Sequence, residues 1–327
     1  MVQGKSSERD QGVCSESNIE LSVVVPLLDE EESIGPLYSS VRDVLEGLGK
    51  EYEILFVDDG SQDGSFDVLK SLYEEDPQHI RVIQFRRNFG KTAALAAGFK
   101  QVRGGTVITM DADLQDDATE IPALLNELDK GYDLVSAWRL RRQDPVSKTL
   151  PSRIFNRVVS ALTGVRVHDL NCGFKAYRRE VTRDMKLYGE LHRFIPVLAH
   201  WRGYHVGEVQ VVHHPRKYGR SKYGFRRLGR GFLDFLMVLF LTYFLKRPMH
   251  FFGSIGVVLS LCGVGIGLYL TWLWIFRGGI GWRPILFVGI LLIIVGVQMA
   301  SIGLLGEMIR NFAYEAEEEY SIRRFLH

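Results

Sequence analysis

The sequence predicts an α/β fold, built on a mixed, mostly parallel sheet and followed by two membrane-spanning helices. In the first half of the 327-residue chain, short apolar runs alternate with segments of helical period, which is the pattern of βαβ units. In the last third, two stretches contain no Asp, Glu, Lys or Arg. Each of them exceeds the ~20 residues that are needed to cross a bilayer.

Five apolar runs predict strands, and segments of helical period lie between the first four of them. The predicted strands are residues 21–27, 52–57, 80–85, 106–110 and 132–137, and the predicted helices are approximately 33–48, 65–73 and 90–102. Parallel strands end at the same edge of a sheet, and α/β proteins bind ligands in the crevice at that edge. We therefore expect one crevice that collects the residues following these strands.

Acidic residues follow three of the strands, at positions 29–32, 58–59 and 111–117. Asp111 and Asp113 lie two residues apart on an extended segment, so their side chains point the same way. Carboxylate oxygens are the ligands that Mg²⁺ and Mn²⁺ prefer, and these ions keep further positions open for substrate phosphates. The pattern favours a divalent-cation site, with a solvated loop that caps the following helix as the alternative.

Six motifs occur in order along the chain. They are VVP at 24–26 with DEE at 29–31, VDDGS at 57–61, RNFG at 87–90, MDADLQ at 110–115, DLNCGF at 169–174 and GRSKY at 219–223. In these motifs, and over about residues 20–310, the chain resembles the family 2 inverting glycosyltransferases of GT-A type that act on polyprenyl phosphates. It is similar to the bacterial subgroup with two transmembrane helices, and dolichol-phosphate mannose synthases are further relatives. One departure is Asp29, where many members carry Asn.

The resemblance implies a nucleotide-sugar donor, a polyprenyl (undecaprenyl) phosphate acceptor and Mg²⁺ or Mn²⁺ as cofactor. It places Pro26, Leu28, Glu30, Asp59 and Asp111 in the nucleotide-sugar pocket, and Asp111, Asp113 and Gln115 at the metal. The acceptor phosphate needs bidentate and point-charge donors, for which the candidates are Arg139, Arg153, Arg216, Ser221 and Lys222. The residues with predicted catalytic roles are Asp113, Arg139 and Asp169.

Asp169 is the family's candidate for a general base. A phosphate monoester has its second pKa near about 6, so the acceptor is largely deprotonated at neutral pH and needs positioning more than it needs a base. Orienting the sugar, steadying the basic groups that hold the acceptor, and a simple turn or cap acid therefore stay open as roles for Asp169.

The expected donor is UDP-glucose, with GDP-mannose or another UDP-sugar as the alternative within the class. A processive polysaccharide synthase and a non-catalytic membrane scaffold are the alternatives outside it. A processive synthase usually has more transmembrane helices and a Gln-x-x-Arg-Trp motif, which this sequence lacks. No nucleic-acid partner is implied.

Residues 248–276 and 284–306 are the predicted transmembrane helices, with a hairpin buried in a soluble core as the alternative. Glycines at 253, 256, 263, 265 and 267 are expected to let the two helices approach closely, and self-association through these faces is a further expectation. The basic residues that flank the spans predict that both flanks are cytoplasmic, in an integral protein of the inner membrane.

The predicted organisation is a disordered tail at 1–20, a cytosolic catalytic domain at 21–224, an interfacial segment at 225–247, the two spans at 248–306 and a cytosolic tail at 307–327. The interfacial segment includes fourteen mainly apolar residues, 232–245, which are too few to cross a bilayer. Between residues 214 and 247 there are nine Lys or Arg and one acid, so this segment either meets anionic lipid or phosphate or is a solvated helix face.

Several other patterns predict no site. The three cysteines, Cys14, Cys172 and Cys262, are far apart and indicate neither a disulfide framework nor a metal site. Gly90-Lys91-Thr92 resembles the end of a phosphate-binding loop, but Phe85 stands where that motif needs glycine. His213 and His214 lack carboxylate or cysteine partners at metal-ligand spacing, so we expect surface or strand histidines.

Overall fold

The structure, a computed structural model, describes residues 19–139, 160, 164–165, 167–214, 248–278 and 284–314, with side chains described up to residue 309. The described residues fall into two compact units. One is an α/β domain, and the other is formed mainly by two long apolar helices near the C-terminus.

The α/β domain is built on a seven-stranded sheet with strand order β3-β2-β1-β4-β6-β5-β7. The strands are β1 (Leu21–Leu27), β2 (Tyr52–Asp58), β3 (Ile80–Gln84), β4 (Thr106–Thr109), β5 (Leu134–Arg139), β6 (Lys175–Arg178) and β7 (Val206–Val211). Strand β6 runs antiparallel to both of its neighbours, and the other six strands point the same way. The predicted α/β fold with a mixed, mostly parallel sheet is confirmed.

Helices cover both faces of this sheet. They are α1 (Glu31–Gly47), α2 (Ser65–Glu75), α3 (Lys91–Gln101), α4 (Ile121–Asp129), α5 (Arg179–Asp184) and α6 (Ile195–Trp201), with 3₁₀ turns at Ala118–Glu120 and Leu191–Phe194. Helix α2 is followed by Asp76, whose carboxylate accepts a hydrogen bond from Tyr38 of α1 at 2.9 Å and lies 2.8 Å from Nδ1 of His79.

Two apolar cores, one on each face of the sheet, explain why β1 is apolar at almost every position. Val23 and Val25 pack in the core that contains residues of α1 and α4, whereas Val24 packs in the core that contains residues of α3 and α6. Successive side chains of a strand point to opposite faces, so a strand covered on both sides needs apolar residues throughout. Each fully buried side chain of this kind contributes about 1.5–3 kcal/mol to folding.

Strands β6 and β7 were not predicted, because neither is a continuous apolar run. Strand β6 has the sequence KAYR, and its Lys175 is only 2% exposed. Strand β7 has the sequence VGEVQV, with polar residues at alternate positions. Apolar continuity identifies strands that are covered by hydrophobic helices, and it misses a strand whose polar residues have partners in the folded protein.

The second unit contains two helices that are long and apolar enough to cross a membrane. A π-helical turn, Met249–Gly253, leads into α7 (Ser254–Arg277), and α8 spans Pro284–Tyr314. Most apolar side chains of both helices are exposed, for example Leu261 and Ile294, whereas a hairpin inside a soluble core would bury them. Helix α8 continues past residue 306, where the predicted span ends, because a helix need not stop where its uncharged stretch does.

Two of the predicted glycines bring α7 and α8 together. A Cβ atom at Gly256 would lie 2.9 Å from the backbone nitrogen of Ala300, and one at Gly263 would lie 2.6 Å from the carbonyl oxygen of Gly289. The expectation for the glycines at 265 and 267 is wrong, since a Cβ atom at either position would meet nothing within 4 Å among the described residues.

Candidate active site

Asp59, just after β2, holds the loop that leads into α3. Its two carboxylate oxygens accept the backbone N–H groups of Phe89 and Gly90, at 2.7 and 2.9 Å. The turn after β2 can lie this close to the loop before α3 only because residue 60 is glycine. Its φ is +75°, and a Cβ atom there would lie 2.6 Å from the carbonyl carbon of Arg87. Burial raises the pKa of Asp59, against the opposing effect of the two backbone hydrogen bonds. The loop before α3 is thereby fixed against the turn after β2.

Asp29 and Glu30 link the turn after β1 to the turn after β2. Asp29 has φ of +48°, a left-handed conformation in which Asp and Asn are enriched among non-glycine residues. Its Oδ1 accepts the N–H of Gln62 at 2.9 Å, and its own N–H donates to Ser61 Oγ at 2.8 Å. The N–H of Glu30 donates to Ser65 Oγ at 2.9 Å. The turn after β1 therefore accepts Asp at position 29, where the resemblance leads us to expect Asn.

The structure brings all five residues predicted for the nucleotide-sugar pocket to this edge of the sheet. Pro26 is buried in β1 opposite Val57, and Leu28 is half-buried just beyond the strand. Glu30, Asp59 and Asp111 follow β1, β2 and β4. Their contacts with a nucleotide stay a prediction.

Lys91, the first residue of α3, forms an ion pair with Asp111 just beyond β4. Burial acts to raise the pKa of Asp111, but Lys91, together with Arg139 and Lys175, holds it below its ordinary value. Sequence spacing does not predict this pair, because Lys91 lies 20 residues before Asp111 and belongs to the incomplete phosphate-binding loop. Its position directly after the RNFG motif is the one signal that pointed to the site.

Asp113 and Gln115 follow Asp111 in a tight turn, so the expectation that Asp111 and Asp113 lie on one extended segment is wrong. Leu114 between them has φ of +58°, and Oδ1 of Asp113 accepts the N–H of Gln115 at 3.2 Å. No three His, Cys, Asp or Glu side chains come together as a metal-binding group within the described residues. Mg²⁺ commonly binds through one or two carboxylates and completes its coordination with water and substrate phosphates. Asp111, Asp113 and Gln115 carry oxygen donors of the type that such an ion takes, and their role as its ligands stays a prediction.

His213 lies in a β-bridge and His214 is partly exposed, as expected for strand or surface histidines, and both have a carboxylate neighbour that is distant in sequence. Asp116 and His213 form an isolated antiparallel bridge, with His213 Nδ1 3.8 Å from Asp116 Oδ1. Nε2 of His214 lies 2.9 Å from Oδ2 of Asp117, a residue 97 positions away. Burial acts to raise the pKa of Asp117, but hydrogen bonding, chiefly to His214, lowers it. The two histidines tie the segment after β7 to the turn that carries the predicted metal ligands.

Arg139, the last residue of β5, forms a buried ion pair with Asp169. The Nε of Arg139 donates to Oδ2 of Asp169 at 2.7 Å, and the two side chains are 17% and 3% exposed. Burial acts to lower the pKa of Arg139, but the charge of Asp169 raises it well above its ordinary value. Glu208 of β7 accepts the N–H of His168 at 2.7 Å and so fixes the segment that carries Asp169. The resemblance predicted roles for both residues but not their pairing.

Four of the predicted acceptor-binding residues, Arg153, Arg216, Ser221 and Lys222, lie outside the described residues. The same is true of the interfacial segment at 225–247 and of nearly all of the tail at 1–20. Their roles stay predictions.

The α/β domain, with its mostly parallel seven-stranded sheet, has a GT-A-like fold. Glucosyl-3-phosphoglycerate synthase from Mycobacterium tuberculosis, solved with Mn²⁺, uridine diphosphate and glucosyl-3-phosphoglycerate, matches with a TM-score of 0.55. The match covers 68% of this chain and 81% of that chain at 19% identity, so it is a likeness of fold.

The sequence comparisons identify the family. A profile described as "Glycosyl transferase family 2" matches residues 22–186. The chain is 39% identical over 316 residues to a dodecaprenyl-phosphate galacturonate synthase of Rhizobium johnstonii, covering 94% of each chain. It is 37% identical over 292 residues to an undecaprenyl-phosphate 4-deoxy-4-formamido-L-arabinose transferase of Shewanella sediminis, covering 88% of this chain and 86% of the relative. The chain belongs to glycosyltransferase family 2, and the resemblance stated from its motifs is confirmed.

Proposed function

We propose that this protein transfers a sugar from a nucleotide sugar to a polyprenyl phosphate, with inversion at the anomeric carbon. The observation that carries the proposal is the meeting of two kinds of charge at one edge of the sheet. Asp111 and Asp113 offer oxygen ligands to a cation, and Lys91 and Arg139 offer positive charge to phosphate groups. Both relatives named above are named for polyprenyl phosphates that carry a sugar, which supports this acceptor class.

On the donor side, this edge of the sheet binds and orients the nucleotide diphosphate. Lys91 is held at the start of α3 by the loop that Asp59 fixes, so its ammonium group is positioned before the donor arrives. Mg²⁺ or Mn²⁺ held by Asp111, Asp113 and Gln115 would neutralise the charge that develops on the leaving diphosphate. Glucosyl-3-phosphoglycerate synthase, which has a similar fold and was crystallised with Mn²⁺ and uridine diphosphate, supports the use of a divalent cation.

On the acceptor side, an oxygen of the polyprenyl phosphate attacks the anomeric carbon as the bond to the diphosphate breaks. That oxygen is already ionised at neutral pH. Asp169 therefore acts by holding Arg139, whose remaining N–H groups face the acceptor phosphate, rather than by removing a proton. Arg153, Arg216, Ser221 and Lys222 complete this phosphate site in the proposal.

The two apolar helices hold the enzyme in the membrane that contains its lipid acceptor. We propose the inner membrane, with the catalytic domain on the cytoplasmic side, because the basic residues flank both spans on that side. A membrane-anchored transferase reaches the phosphate of a polyprenyl chain without extracting the lipid from the bilayer.

UDP-glucose is the first donor that we propose. The two relatives are named for galacturonate and for 4-deoxy-4-formamido-L-arabinose, so nucleotide forms of these sugars are the principal competitors. GDP-mannose, the remaining alternative donor, differs from UDP-glucose in both the nucleotide and the sugar.

A donor panel tests the proposal directly. The full-length protein in detergent is incubated with undecaprenyl phosphate and each radiolabelled donor, and the lipid product is tested for lability in mild acid. We expect one donor to be used, activity to stop in excess chelator and to return with Mg²⁺ or Mn²⁺, and Asp113→Ala to be inactive but folded. Asp67→Ala, an exposed acid on α2, is the control and keeps full activity. Full turnover in excess chelator would contradict the cation requirement, and a non-catalytic scaffold would use no donor at all.

A further inference from the structure

A partly enclosed cavity lies directly beside Asp111. Lys91, whose ammonium group pairs with Asp111, lines it. Gly173 also lines it, and a Cβ atom there would lie 2.6 Å from the carboxyl carbon of Asp111. The cavity thus adjoins the proposed donor site. Its other polar lining residues include Thr109, Asn171, Lys175, His192 and Arg193.

Most polar groups of the cavity already have partners. Lys175 donates to the carbonyl oxygen of Cys172, and Nδ1 of His192 lies 2.7 Å from Thr92 Oγ1. Burial and the neighbouring cations Lys91, Arg193 and Lys175 lower the pKa of His192 to about 2, so this imidazole stays neutral at any working pH. These groups leave little unmet charge for a ligand to satisfy.

Two buried polar atoms of the cavity lining differ from these groups in their hydrogen bonding. The Nε of Arg193 and the Oδ1 of Asn171 have no hydrogen-bond partner among the described residues. The Arg193 side chain is only 13% exposed, and its Nη2 is held by Glu190 at 2.8 Å. A buried polar group without a partner costs about 1–3 kcal/mol, and such groups in proteins usually mark a bound water or ligand.

The unpaired atoms are one donor and one acceptor, which limits what can satisfy them. A hydroxyl group accepts from the N–H of Arg193 and donates to the oxygen of Asn171. A carboxylate or phosphate oxygen would satisfy Arg193 but would face Asn171 Oδ1 with two acceptors in contact.

We propose that Arg193 and Asn171 recognise one hydroxyl group of the transferred sugar and so determine which donor the enzyme accepts. This inference rests on the proposed function, since it takes the diphosphate of the donor to lie at the adjoining edge of the sheet. A site built to hydrogen-bond a hydroxyl group discriminates strongly against an analogue that lacks it, because its own buried groups are then left unpaired.

The test combines variants with deoxy analogues of the donor that the wild-type enzyme uses best. Arg193→Lys keeps the charge that pairs with Glu190 but removes the Nε donor, and Asn171→Ala removes the acceptor from a different segment of the chain. The control is Glu190→Gln, which weakens the ion pair without touching Nε. Values of kcat/KM are measured for each donor with undecaprenyl phosphate, and thermal unfolding reports whether each variant folds.

We expect Arg193→Lys and Asn171→Ala each to lower kcat/KM for the complete donor by about 10- to 100-fold. One deoxy donor should show a similar loss with the wild-type enzyme and no further loss with either variant, while the acceptor KM stays unchanged. Glu190→Gln should keep the wild-type pattern. If one variant fails to fold, the other still decides, because the two atoms lie on separate segments.

Three results would overturn the inference. Equal losses on every deoxy donor would mean that the two atoms hold only a structural water. A uronic-acid donor that is used best and that alone suffers from Arg193→Lys would reassign the cavity to a carboxylate. If the wild-type enzyme transfers no sugar from any donor, the proposed function fails, and this inference fails with it.

Discussion

The Arg139–Asp169 ion pair allows a direct test of whether Asp169 positions a group or removes a proton. Asp169→Asn keeps an oxygen that can accept from Nε of Arg139, now 2.7 Å away, but removes the negative charge and any ability to act as a base. We expect the variant to stay active at a reduced rate, because the proposed nucleophile is an acceptor phosphate that is already ionised near neutral pH.

The size of the loss follows from this hydrogen bond. Hydrogen bonds that involve charged groups contribute about 1.5–3 kcal/mol and neutral ones about 0.5–1.5 kcal/mol, so removing the charge weakens the contact by about 1–1.5 kcal/mol. If that whole difference appears in the transition state, kcat/KM falls by roughly 10-fold. Loss of a general base would instead cost about 10²–10⁴-fold.

The assay measures kcat/KM of the detergent-solubilised enzyme against pH, with Asp133→Asn as the matched control. Asp133 precedes the same strand, β5, at the opposite edge of the sheet, where it accepts the N–H of His205 at 2.7 Å. Both variants should keep the acidic limb near about pH 6 that belongs to the acceptor phosphate. A loss beyond 10²-fold with disappearance of that limb in Asp169→Asn alone would refute the positioning role.

Three further predictions concern stability and the acceptor. Gly60→Ala should destabilise the protein more than Gly49→Ala in thermal unfolding, because both positions have positive φ but only a Cβ atom at Gly60 meets backbone, 2.6 Å away; equal shifts would contradict this. Burial acts to raise the pKa of Asp76, but its histidine and tyrosine partners lower it, so its contribution to stability is present above about pH 4 and is lost as pH falls through the lowered pKa. Asp76→Asn should therefore reduce the slope of the free energy of unfolding against pH on the acid side only, as measured by denaturant unfolding at a series of pH values. An unchanged slope there would contradict this prediction. Lys222→Ala should weaken use of the acceptor in detergent by about 10- to 100-fold without changing the donor KM, whereas a role in membrane adhesion alone predicts no defect in detergent.

Much of the fold could be predicted because strands that are buried by hydrophobic packing appear in the sequence as apolar runs. β1 is covered on both faces and is apolar at almost every position, and acids at 29, 58 and 111 lie at or just after the ends of β1, β2 and β4. Strand β6 does not appear as an apolar run, because it contains the buried Lys175. This side chain is polar, and it donates a hydrogen bond to the carbonyl oxygen of Cys172.

The pairings within the site could not be predicted from spacing. Lys91 and Asp111 are 20 residues apart, Arg139 and Asp169 are 30 apart, and His214 and Asp117 are 97 apart. The motifs identified which residues matter at this edge, but sheet order decides which of them touch. Strand β6 inserts between β4 and β5, and that topology has no signature in any one segment of the chain.

Two carboxylates at this edge are paired with cations before any substrate arrives. Lys91 neutralises Asp111, and Arg139 neutralises Asp169, so neither carboxylate is left as an uncompensated buried charge. In the proposed function, a cation at Asp111 would therefore compete with Lys91, and a diphosphate bound at the same time would give the ammonium group a new anionic partner. Such an exchange would couple cation binding to donor binding. In the proposed enzyme, the Lys91–Asp111 ion pair would make the predicted metal site depend on the donor.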